Sequence, residues 1–157
     1  MSDLAGVGFF AGAIIVAVIT AILGIAIYLF YSFALYKLAQ SRNVEMPWLA
    51  WIPIAQLYII GILVKSMKIS TFEIPKLEIV LPAAALATAI LGAIPFIGTL
   101  ISLANIILLL LALYHLYKQY LPEQATVYTV LSILVITVPF LLLKISKMEP
   151  IHIEPAE

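Results

Sequence analysis

Few side chains in this sequence could do chemistry, and most of them sit inside apolar stretches. Tyr28, Tyr31, Ser32 and Tyr36 recur at i, i+3, i+4 and i+8, which places their hydroxyls on one stripe of a helix. Such a stripe can face a polar cavity or a partner, or form an aromatic belt at a membrane interface. Gln56 follows Pro53 by three residues. Its amide can take up a carbonyl that a helix-interior proline leaves free, or contact a ligand. Asn105 lies mid-way along an uncharged run, where it can hydrogen-bond a neighbouring helix or line a solute path. Thr88 is a candidate partner for it. His115 belongs to Tyr114-His115-Leu116-Tyr117-Lys118-Gln119-Tyr120, a cluster suited to interface anchoring.

These residues do not assemble into a known catalytic set. Ser102 and His115 would stand ~20 Å apart along one helix axis, too far for a nucleophile and its base. His152, near the C-terminus, is a poor second ligand for His115, so no metal or haem site is expected. The sequence has no cysteine, which removes thiolate nucleophiles, thiolate metal sites and disulfides together. No phosphate loop, dinucleotide fingerprint or metalloprotease motif is present. The expectation is therefore no catalytic residue, no cofactor and no metal.

The elements that would carry these residues follow from composition. Of 157 residues, 65% are hydrophobic and only 10% are charged. Soluble domains have about 45–50% apolar and about 25% charged residues. With a mean hydropathy of +1.20, the bilayer is the expected solvent. The net charge of zero gives no pull toward nucleic acid. The start lacks the basic region of a cleaved signal peptide, so the first segment is expected to stay as a membrane helix.

Charge-free runs divide the chain. A crossing needs about 20 apolar residues at ~1.5 Å rise each. The run from Leu4 to Tyr36 predicts a span over about 10–36, with Gly8 and Gly12, and Ala13, Ala17 and Ala21, as close-packing faces. The run from Met46 to Val64 opens with Pro47-Trp48-Leu49-Ala50-Trp51-Ile52-Pro53 and is only just long enough to span. The run from Ile79 to Tyr117 is long enough for two crossings, 79–94 and 96–117, turning at Gly92, Pro95 and Gly98. A single further span is expected over 126–143, followed by a disordered tail at 149–157.

Two topologies compete. If all five segments span, basic residues divide four against four and no orientation is favoured. If 48–64 enters and leaves on one face, they divide six against two, with Lys144 and Lys147 opposite the rest. The second arrangement is favoured. It is an all-α polytopic membrane domain over 1–148, with four transmembrane helices plus a re-entrant or interfacial helix and the N-terminus outside. In it Tyr28 to Tyr36, Trp48 to Tyr58 and Tyr114 to Tyr120 converge on the cytoplasmic leaflet as an aromatic vestibule. That vestibule would suit a lipid, a small amphipathic solute or a partner helix.

Tyr36-Lys37-Leu38-Ala39, Arg42 and Trp48-Leu49-Ala50-Trp51-Ile52-Pro53-Ile54-Ala55-Gln56-Leu57-Tyr58 together resemble a segment of small, uncharacterised bacterial multi-pass membrane proteins. Those carry a Trp, an Ile-Pro and an Asn-x-Tyr-like pair after the first span; here position 56 is Gln. The resemblance covers about a third of the chain. It implies a bacterial cytoplasmic-membrane protein and supplies no catalytic residue. The expected function is a non-enzymatic interaction or accessory subunit, partnered by the bilayer and by other membrane helices in a homo-oligomer or larger complex. The alternative is a small transporter or channel component with a polar site near Gln56 and Asn105.

Overall fold

A 40-residue helix, α1 (Ser2–Ser41), dominates the molecule. At ~1.5 Å per residue it is ~60 Å long. No proline interrupts it and no charge falls between Asp3 and Lys37. In this computed structural model the structure describes residues 2–65, 67–69 and 72–151. Helix α1 stops for a local reason. Asn43 takes a left-handed φ of 53°, the Val44 amide donates to the Ala39 carbonyl and the Asn43 amide to Gln40. This is the Schellman arrangement, in which asparagine can stand in for glycine.

A 3₁₀ turn, Pro47–Trp51, leads into α2 (Pro53–Val64). A two-stranded antiparallel ribbon follows, β1 (Met67–Ile69) with β2 (Phe72–Ile74), Met67 opposite Ile74. Helices α3 (Leu77–Leu91) and α4 (Ile97–Tyr120) form a hairpin. Its turn is tight: a Cβ on Gly98 would stand 2.2 Å from the Gly92 carbonyl oxygen. Apart from the ribbon, the fold is all-α. Among the described residues, two helices are long and apolar enough to cross a membrane, α1 over Phe10–Ser41 and α4 over Ile97–Tyr120.

The continuous helix expected over 126–143 is replaced by two helices of eight residues, α5 (Ala125–Ser132) and α6 (Val138–Ile145). Pro139 lacks an amide hydrogen and stands in the first turn of α6, where that loss is tolerated, whereas α3 continues through Pro82. Leu134 is extended, and a 3₁₀ turn (Val135–Thr137) reverses the chain. The Thr137 hydroxyl lies within hydrogen-bond distance of the Leu131 and Leu134 carbonyls, which also accept the Leu134 and Thr137 amides. Lys144 Nζ then meets Tyr128 OH, so α6 runs back along α5. The tip, Ile133 to Ile136, is apolar and exposed.

Because of that reversal, Lys144 and Lys147 do not stand opposite the other basic residues. Arg42 Nη1 donates to Gln119 Oε1 at 3.0 Å and Tyr120 OH at 3.1 Å. Gln119 Nε2 donates to the Leu63 carbonyl at 3.1 Å. The Leu77 amide donates to the Lys65 carbonyl, and the Ile151 amide to the Gln119 carbonyl. These bonds gather the end of α1, the end of α2, the start of α3, the end of α4 and the chain after α6. All eight basic residues therefore fall at one end of the molecule.

The core lies in that same half. Leu35, Leu38, Ile59, Leu63, Leu77, Leu81, Leu116, Tyr117 and Leu142 are all fully or almost fully buried. Helices α2 and α3 meet so closely that a Cβ on Gly61 would stand 2.3 Å from the Glu78 Cα. Phe30 and Phe140 meet edge-on at 4.9 Å, joining α6 to α1. The other half is open. Every residue from Ala11 to Ala26 is exposed, and nothing lies within 4 Å of a Cβ built on Gly8, Gly12 or Gly24. The expected close-packing faces on α1 thus meet no helix of this chain among the described residues.

Candidate functional site

A buried polar contact joins α1 to α2. Ser32 is fully buried and Gln56 nearly so. Gln56 Nε2 donates to Ser32 Oγ at 2.8 Å and to the Ala50 carbonyl at 2.9 Å. Both amide hydrogens are thereby used, one on α1 and one on the 3₁₀ turn. Pro53 occupies the first turn of α2, where a missing amide hydrogen costs nothing. Ala50 stands three residues before Pro53, so Gln56 takes up the carbonyl for which residue 53 has no amide hydrogen in the 3₁₀ pattern, and it ties that turn to α1. One turn earlier on α1, Tyr28 OH donates to the Trp51 carbonyl at 2.6 Å. Tyr36 and Trp51 lie 6.4 Å apart, centre to centre.

These contacts fix a depth. Trp51 sits level with Tyr28, ~20 Å along α1 from its end at Ser41. Arg42 and Leu63 both bond Gln119 at the basic end. The chain from 43 to 63 thus runs inward ~20 Å and returns to where it started.

The other expected site residues are elsewhere. Tyr31 is half-buried against the core. Tyr58 borders a cavity of about 270 Å³ with Arg42, Glu45, Met46 and Ile62. Asn105 Nδ2 donates to Thr88 Oγ1 at 3.2 Å across the α3–α4 hairpin. His115 Nδ1 lies 2.9 Å from the Leu111 carbonyl on its own helix, so that nitrogen carries the proton. Its ring meets Tyr114 edge-on. Of the seven expected residues, Tyr28, Ser32 and Gln56 come together at the 3₁₀ turn, Tyr58 lies beside Arg42, which bonds the end of α4, and Asn105 lies on the α3–α4 hairpin.

One network was not foreseen. Tyr117 OH and Ser132 Oγ are 2.9 Å apart, both buried, and Ser132 Oγ donates to the Tyr128 carbonyl at 2.8 Å. The Tyr117 and Tyr128 rings meet edge-on at 5.8 Å, and Lys144 lies over Tyr128. The four-residue spacing of Tyr128 and Ser132 was the only signal for it. No group of three or more His, Asp or Glu side chains able to hold a metal occurs among the described residues. His152 lies outside them. Chemically, these arrangements clamp elements together; none pairs a nucleophile with a base. No protein family, curated protein or solved structure matches this chain.

Proposed function

We propose that this chain is an integral membrane protein that serves as an interaction or accessory subunit, and that the outer half of α1 is where it meets other membrane helices. One observation carries this reading: Ala11 to Ala26 is apolar, helical and exposed around its whole circumference. The core helix of a water-soluble protein is mostly covered, whereas none of the most apolar window of α1 is. Exposed apolar surface on this scale is untenable in water and ordinary in lipid.

The orientation follows from charge. With every basic residue at one end, that end is cytoplasmic by the positive-inside rule, in a bacterial cytoplasmic membrane, and the N-terminus is outside. Helix α1 and the α3–α4 hairpin make the crossings. The 43–64 and 125–145 segments dip in from the cytoplasmic face and return. This replaces the expected fourth crossing by a second re-entrant piece.

The absence of cysteine makes single-cysteine labelling clean. An impermeant maleimide on intact cells should label Gly6→Cys and spare Met148→Cys until the membrane is opened. Labelling of Met148→Cys from outside would remove this topology. The function itself is tested by co-purification in mild detergent. The tagged chain should bring down a larger membrane protein, and Ala13→Leu with Ala17→Leu should release it. A chain that always purifies alone refutes the subunit reading.

A transport role has its own support in the two re-entrant pieces with interrupted helices, an arrangement that builds solute sites in transporters. Solute flux in liposomes containing only this chain would favour it.

A further inference from the structure

A groove separates α4 from α5. It has a volume of about 350 Å³, within the range of about 300–1,000 Å³ seen for small-molecule sites. Ile107, Leu111 and Tyr114 form one wall, and Thr126, Thr129 and Val130 the other. The surface inside is hydrocarbon. Thr129 has turned its hydroxyl onto the Ala125 carbonyl at 2.8 Å, which leaves its methyl to face outward. Ile107 and Val130 are exposed, so the groove opens sideways rather than into the core.

The α4 wall has a direction. Ile107, Leu111, Tyr114 and Lys118 follow one another at spacings of four, three and four, a single helical stripe ~16 Å long. It is apolar toward the membrane interior, carries a phenol near its upper end and finishes in a cation. Lys118 is exposed at the basic end and makes no hydrogen bond or ion pair among the described residues. Apolar length with one cation at the mouth is complementary to an amphiphile with an anionic head.

We infer that this groove holds one acyl chain of an anionic phospholipid, with the headgroup phosphate at Lys118. The inference rests on the membrane reading above and names a ligand for it. The Tyr114 ring marks the level where chain gives way to headgroup, the ordinary position of tyrosine in a bilayer. Thr126 and Thr129 set the groove width, because a larger side chain at either position would occupy it.

Native mass spectrometry of the detergent-purified chain, with added phosphatidylglycerol or phosphatidylcholine, tests this. Wild type should retain one phosphatidylglycerol in preference to phosphatidylcholine. Lys118→Gln should reduce that preference about fivefold, the effect of one cation near an anionic surface, and lower phosphatidylcholine retention less, because the choline cation offsets its phosphate. Thr129→Trp should abolish retention of both lipids. Thr126→Trp, at an exposed position where folding is not at stake, should weaken both. Ile136→Trp, on the far tip, should change neither. Equal lipid retention by wild type, Thr129→Trp and Thr126→Trp overturns the inference. So does a result in which Thr126→Trp spares lipid and removes a co-purifying protein, since the groove would then belong to a partner helix. Extraction of the wild-type chain from membranes by alkaline carbonate would instead defeat the membrane reading itself.

Discussion

The two ends of α1 obey different rules. From Ala34 to Ala39 the helix is locked into a core and braced by Ser32, which accepts from Gln56. From Ala11 to Ala26 the same helix touches nothing that could fix its rotation. Both stretches are strongly apolar. What separates them is what other elements bring: the basic half receives five chain ends and their hydrogen bonds, while the stretch from Ala11 to Ala26 stays exposed. Apolarity therefore says where lipid is tolerated. It does not say where the protein packs.

The largest expected effect breaks that contrast at one glycine in each half. Gly61→Leu drives a side chain into the α3 backbone, which cannot yield as a flexible side chain would. It should cost upwards of about 3 kcal/mol and leave little monodisperse protein after detergent extraction. Gly12→Leu meets open space and should change stability by no more than about 0.5 kcal/mol. Its effect should fall on co-purification instead. Equal losses of folded protein from both substitutions would erase the distinction between the halves.

A smaller effect sharpens the account of the packed half. Gln56→Leu removes two hydrogen bonds from a buried site and leaves Ser32 Oγ and the Ala50 carbonyl short of a donor. A loss of ~1–3 kcal/mol is expected, read as a fall in Tm in detergent. Adding Ser32→Ala should cost less than it does alone, because its partner is already gone. Fully additive losses would mean that the contact between them contributes nothing.

These cases also mark how far the sequence could be read. Helix-forming runs and the hairpin turn were legible, because Gly92, Pro95 and Gly98 interrupt an otherwise uniform stretch. The stop at Asn43 was equally legible in principle, since asparagine tolerates a left-handed φ. The split of 126–143 has one sign in the sequence, Pro139, but Pro82 lies inside the unbroken α3, so a proline in an apolar run does not by itself mark a break. Which partner each candidate side chain finds could not be read. Helices that are apolar all round present no preferred face, so periodicity does not reveal which neighbour each side will meet. Pairing of Thr88 with Asn105 was accessible only because a short turn constrains the hairpin.

The Tyr117–Ser132 contact carries the next effect in size. Ser132→Ala leaves the buried Tyr117 hydroxyl without its partner, a cost of ~1–2 kcal/mol in the same melting measurement. Tyr117→Phe in the Ser132→Ala background should restore part of it, because an unpaired buried donor is removed. No recovery would show that the Tyr117 ring, rather than its hydroxyl, holds α5 in place.

The smallest expected effect belongs to the open half. Asn105 and Thr88 share a 3.2 Å hydrogen bond, and Thr88 also donates to the Ala84 carbonyl on its own helix. Both residues are only half-buried. If lipid surrounds them, Asn105→Leu exchanges one modest interhelical bond for better lipid contact, and ~0.6 kcal/mol is the typical worth of such a bond. The hairpin should persist, because Gly98 against Gly92 and the packing of α3 on α2 still define it. A loss several times larger would mean that Asn105 bonds something beyond Thr88 in the assembled protein. The open half would then be completed by a polar partner and not by lipid alone, and the simple contrast between the two halves would have to be redrawn around Asn105.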